Sequence, residues 1–65
     1  MNINAKKLES AMASKMLTGK MLSEKSGVSD VTIARIKKGK QKPKPITIGK
    51  LAKALEVGIT EIIEN

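Results

Sequence analysis

The groups in this chain that could do chemistry are amines, one guanidinium, hydroxyls and carboxylates, and their spacing suits holding a polyanion better than breaking a bond. Arg35, Lys37, Lys38, Lys40, Lys42 and Lys44 follow one another with no acid among them, and Ser29, Asp30, Val31 and Thr32 stand just ahead. A guanidinium fork matches guanine N7 and O6, while ammonium groups grip phosphate oxygens. The chain has neither cysteine nor histidine, which removes the usual zinc frameworks, thiol chemistry and the imidazole base. No carboxylate pair, Gly-rich phosphate loop or nucleophile with its base can be assembled. No catalytic residue, metal ligand or cofactor site is therefore assigned, and an enzyme is not expected.

Lysine and arginine number 13 against six acids, a formal charge of +7 on 65 residues. Such a surplus attracts polyanions, duplex nucleic acid first and anionic membrane second. Phe, Tyr and Trp are absent, so the stacking platforms that hold single strands and looped RNA cannot be built. No apolar run approaches the roughly 20 residues of a membrane span, and MNINAKKLESAM lacks the apolar centre of a secretion signal. A cytoplasmic location is expected. The length suits one domain, residues 1–65, near the lower limit at which a core holds without disulfides or metal.

The elements that must position these groups can be read from helix starts. Asn4, Thr18 and Ser29 are N-cap residues. Ile3, Leu17, Val28 and Val57 each precede a start and can staple to Leu8, Leu22, Ile33 and Ile62. The spacing predicts helices over Ala5 to about Lys15, Gly19 to Ser26, Asp30 to about Lys38, and from Pro45 through Ile48, Leu51, Ala52 and Leu55. A fifth short helix is expected over Ile59, Ile62 and Ile63. Gly27 and Gly39 are stops, and Lys40 to Lys44 is a loop broken by Pro43 and Pro45. No strand candidate of any length is present.

If Ile33 and Ile36 face inward, helical spacing leaves Asp30, Val31, Ala34 and Arg35 outward, with Ser29 at the helix mouth. A helix fits the major groove of duplex DNA, where each base pair shows a distinct pattern. Arg35 is assigned to guanine; the plainer alternative is phosphate contact only. Val31 could touch a thymine methyl or be a merely exposed aliphatic. Asp30 could accept from cytosine N4 or serve the helix dipole. Ser29 is explained by capping alone. Lys38, Lys40, Lys42 and Lys44 are read as phosphate contacts, although charge runs are often only solvated faces; Thr32 and Lys20 add to them.

Gly19 to Lys38 resembles the helix-turn-helix of the phage repressor and Cro family, also called the Xre family. The likeness runs from Leu8 to Ile63. It is carried by Leu17-Thr18, Leu22, Glu24 to Ser29, Thr32-Ile33, Arg35-Ile36, Gly39-Lys40, Lys42-Pro43, Lys50 to Leu55, and Val57. The resemblance implies an all-α, compact, five-helix lambda-repressor-like domain with its helix-turn-helix (about 19–38) formed by helices two and three. It also implies base contacts from Ser29, Asp30, Val31 and Arg35. Gly19 departs from the family's phosphate-bonding glutamine, so that contact is lost or passes to Lys20 or to a backbone N–H. Met12 stands where many members carry a basic residue, Ser23 replaces the usual alanine, and Glu56 and Gly58 fall where Gly and Ser are common.

The function expected is sequence-specific duplex DNA binding that regulates transcription, with repression by operator occupancy. A single small module buries little surface, so two copies on a palindromic operator are expected. Ile59, Ile62 and Ile63 could supply the homodimer contact or could close the core. The alternative is a protein-interaction module, an antitoxin or adaptor that keeps the fold. A membrane-active role is disfavoured because the lysines gather on a loop and a helix end instead of lining one face.

Overall fold

In the computed structural model, which describes residues 1–64, three of the four α-helices begin on a side-chain cap. Asn4 Oδ1 accepts from the Lys7 N–H at 3.0 Å and opens α1, Ala5–Ser14. Thr18 Oγ1 accepts from the Met21 N–H at 3.1 Å and opens α2, Gly19–Ser26. Ser29 Oγ accepts from the Thr32 N–H at 3.1 Å and opens α3, Asp30–Lys37. Each bond satisfies a donor that the helix itself cannot. α4, Pro45–Leu55, has no such bond and starts on Pro45, whose missing N–H is no loss at that position.

The exits share one geometry. Met16, Gly27, Gly39 and Glu56 have φ of 55°, 79°, 72° and 59°, all left-handed. At three of them the next N–H reaches back five residues: Leu17 to Met12 O at 2.9 Å, Lys40 to Arg35 O at 2.9 Å, and Val57 to Ala52 O at 3.1 Å. This is the Schellman closure, which ends a helix and reverses the chain. Glycine takes it freely at Gly27 and Gly39, whereas Met16 and Glu56 carry a Cβ into it.

The helices converge on one core. Leu8, Leu22, Ile33, Ile48, Leu51, Leu55 and Ile62 are fully buried, and Ile3, Met12, Val28, Ile36, Ala52 and Ala54 complete the cluster. Burying each large aliphatic stabilises by about 1.5–3 kcal/mol, which decides the matter in so short a chain. α2 packs on α3 and α4, and α1 packs on α3. Among the described residues no polar or charged side chain is buried.

Among the described residues the expected fifth α-helix is replaced by one 3-10 turn, Ile59–Glu61, which follows four α-helices. The Glu61 carboxylate accepts from the Gly58 N–H at 3.0 Å and tightens this turn. The chain then extends: Ile63 forms an antiparallel bridge with Ile3, the Asn4 N–H donates to Ile62 O at 2.8 Å, and the Glu64 N–H donates to Asn2 O at 2.8 Å. Pairing with the N-terminal segment takes up the backbone groups that a further helical turn would have used. Of the two roles open to Ile62, homodimer contact and core closure, the structure gives it the second, because its side chain is 0% exposed. Ile63 is half-buried and Ile59 is exposed. α1 and α3 end one residue earlier than expected, at Ser14 and Lys37.

Candidate nucleic-acid interface

α3 owes its orientation to two side chains. Ile33 and Ile36 are 1% and 3% exposed, so the opposite side of a helix of 3.6 residues per turn faces outward. Asp30, Val31, Ala34 and Arg35 are all exposed there, and Ser29 is exposed at the N-terminal end. Val31 is 55% exposed; a lone exposed aliphatic is ordinary, and what sets this one apart is its place between two charged groups on a bare helix.

Hydroxyl bonding at the helix start separates two residues of similar chemistry. Besides accepting from the Thr32 N–H, Ser29 Oγ donates to Thr32 Oγ1 at 2.9 Å. The Ser29 O–H is thereby taken up as a donor, and one of its two acceptor lone pairs is left for a base donor. Thr32 accepts from Ser29, which leaves its own O–H to donate outward.

Around this helix the cations make no close ion pair, and Lys40 and Lys42 share a recess with Glu64. Lys20, Lys38, Lys40, Lys42 and Lys44 are exposed, like Arg35. Among the described residues the one ion pair, Lys15 Nζ to Glu56 Oε1 at 3.7 Å, joins the ends of α1 and α4 and involves none of them. Lys37 leaves the run. It is half-buried and lines a recess with Glu9, Met12, Leu17 and Gly19 on the α1 side.

A shallow hollow of ≈ 390 Å³ beside the start of α3 brings Ser29 and Thr32 together with Lys42 and Lys44 of the loop. It also holds Gln41, Thr47 and Lys50, which sequence reasoning missed. Thr47 and Lys50 sit three apart on α4, a spacing that puts them on one face. Nothing in that spacing says that the face adjoins α3. No carboxylate lines the hollow.

The departures at Gly19 and Met12 have a structural account. Gly19 and Lys20 occupy the first two positions of α2 while Thr18 caps Met21, so both N–H groups lack an intrahelical partner. Apart from its chain neighbours and the helix's own backbone, no atom lies within 4 Å of where a Cβ at Gly19 would sit, and unpaired N–H groups at a helix start favour an anion. Met12 is buried in the core and presents nothing outward. Ser23 is half-buried on α2.

The model of the helix-turn-helix family HTH_3 matches residues 8–62. The restriction-modification controller protein C.AhdI of Aeromonas hydrophila superposes with a TM-score of 0.83 at 24% identity, over 88% of this chain and 86% of that one. That likeness shows the fold. An HTH_3 family transcriptional regulator from Vibrio cholerae superposes with a TM-score of 0.82 at 26% identity, over 88% of this chain but only 32% of its own. No curated protein sequence matches this chain.

Proposed function

Because the chain belongs to the HTH_3, Cro/C1-type helix-turn-helix family, whose members are DNA-binding transcription regulators, we propose that it lays α3 in the major groove of a specific duplex and represses by occupying an operator. Ser29, Asp30, Val31 and Arg35 read bases in this account, with Arg35 bonding guanine. Lys20, Thr32, Lys38, Lys40, Lys42 and Lys44 hold phosphates, with the Thr32 O–H as a donor. The observation that carries the proposal is the bare side of α3 opposite Ile33 and Ile36, flanked by cations with no carboxylate partner. A helix is about as wide as the major groove, and exposed lysines beside it supply the salt-sensitive attraction that non-specific binding needs.

Residues 1–65 act as one DNA-binding domain in this account, in the cytoplasm. Among the described residues no helix is long and apolar enough to cross a membrane. Two copies bind a palindromic site with half-site centres about 34 Å or a multiple apart, and Ile59 with Ile63 supplies the contact between them. The family of the Vibrio cholerae neighbour supports the regulatory half of the proposal.

Selection of duplexes from a random pool at near-physiological salt tests the reading, and a palindromic consensus is expected. Arg35→Ala should relax preference at one base position, a loss of about 1–3 kcal/mol of discrimination. Lys40→Ala or Lys42→Ala should weaken all sequences alike and make the salt dependence shallower by about 0.9 log units per tenfold salt for each bound copy. Equal loss on every sequence from Arg35→Ala overturns the assignment of that residue. Tight capture of a co-expressed protein with no selected duplex overturns the DNA reading as a whole.

A further inference from the structure

The lysines do not stop at the hollow beside α3. Lys25, at the end of α2, and Lys50 and Lys53, on α4, line a second hollow of ≈ 460 Å³ together with Ser26 and Ala54. All three lysines are exposed, and no carboxylate lines this hollow either. Lys50 belongs to both hollows. The cationic lining therefore runs without a break from Ser29 and Thr32, past Lys42 and Lys44, over Lys50 and onto the flank that α2 and α4 make where they pack.

Among the described residues none of the three ammonium groups is in an ion pair or donates a hydrogen bond. Lys25 and Lys53 lie in the last turns of α2 and α4, where the helix dipole favours a cation, but that offers nothing to Lys50 and does not offset the repulsion of like charges brought to one hollow. Lys25 lies far from Lys50 and Lys53 in sequence, so packing gathers them, not a charge run along one helix. A phosphodiester backbone passing along the flank supplies the missing anions in a row.

We propose that the α2–α4 flank bearing Lys25, Lys50 and Lys53 is a second, sequence-independent phosphate-binding surface, which takes the backbone of duplex DNA beyond the segment read by α3. The proposal rests on the reading of α3 as the groove helix, because continuity through Lys50 is what selects duplex DNA over an acidic protein as the occupant. It extends the footprint of each copy outward, so that affinity depends on the length of the duplex as well as on its central sequence.

The test uses the full chain with Lys25, Lys50 and Lys53 all changed to Ala, on two duplexes: the selected site alone, and that site extended on both sides by unselected sequence. These are exposed helix positions, so the triple variant should melt no lower than the parent. The parent should bind the extended duplex more tightly than the short one, and the triple variant should lose that gain. On the extended duplex its salt dependence should be shallower by about 2.7 log units per tenfold salt for each bound copy, roughly a 40-fold smaller loss of affinity per copy between 50 and 200 mM. Equal weakening on both lengths would mean that only net charge matters, and would overturn the proposal. So would no weakening on either, or poly-glutamate of matched charge competing as well as unselected duplex. Arg35→Ala on the short duplex keeps the two readings apart. If base preference survives that change while the length effect still follows the lysines, the base-reading assignment fails and the flank stands.

Discussion

Met16 and Gly39 close helices with almost the same backbone, φ of 55° and 72°, yet one carries a side chain and the other does not. Exchanging their types should move stability in opposite directions. In Met16→Gly the left-handed conformation no longer carries a Cβ, a relief of about 1–2 kcal/mol. The Met16 side chain is 84% exposed, so little apolar burial is lost. Against this, glycine widens the unfolded ensemble, which costs about 0.4–1 kcal/mol. The net expectation is a gain of about 0.5–1 kcal/mol, or about 3–8 °C in melting midpoint for a domain of this size. For Gly39→Ala no atom lies within 4 Å of the added Cβ, so no clash contributes, and the same two contributions reverse to a loss of similar size. Urea and thermal unfolding followed by far-UV circular dichroism, with the denaturant slope unchanged, measures both. A less stable Met16→Gly, or an unchanged Gly39→Ala, would refute the assignment of the cost to backbone handedness.

Two further expectations concern side chains whose roles the structure divides. Ser29→Ala removes the α3 cap and should lower stability by about 1 kcal/mol; because its hydroxyl is already engaged with Thr32, base preference in duplex selection should change less than with Arg35→Ala. Ile59→Asp, at a 38% exposed site, should leave a folded chain with weakened self-association by sedimentation and a shallower dependence of binding on protein concentration. Ile62→Asp, at a fully buried site, should abolish cooperative unfolding.

Much of this molecule was legible residue by residue. The starts of α1, α2 and α3 were readable because an N-cap acts over three residues: Asn4, Thr18 and Ser29 each take a backbone N–H of the helix they precede. The outward side of α3 was readable for a similar reason, since the helical period alone fixes what lies opposite Ile33 and Ile36. The left-handed exits at Gly27 and Gly39 were announced by glycine, whereas those at Met16 and Glu56 were not, because nothing local marks a residue held there at a cost.

What escaped such reading depends on partners distant in the chain. Ile59, Ile62 and Ile63 have helical spacing, yet the segment makes one 3-10 turn, Ile59–Glu61, before Ile63 bridges to Ile3 and Ile62 lies in the core. Lys37 sits in the basic run, and only the approach of α1 to α3 drew it out. Gln41, Thr47 and Lys50 joined the site because the loop and α4 line the hollow at the start of α3, and Lys25 met Lys53 because α2 packs on α4. Capping and helical period are short-range effects that the amino-acid order determines by itself. Which faces then meet was decided by the burial of one shared core, and with it the extent of the cationic surface.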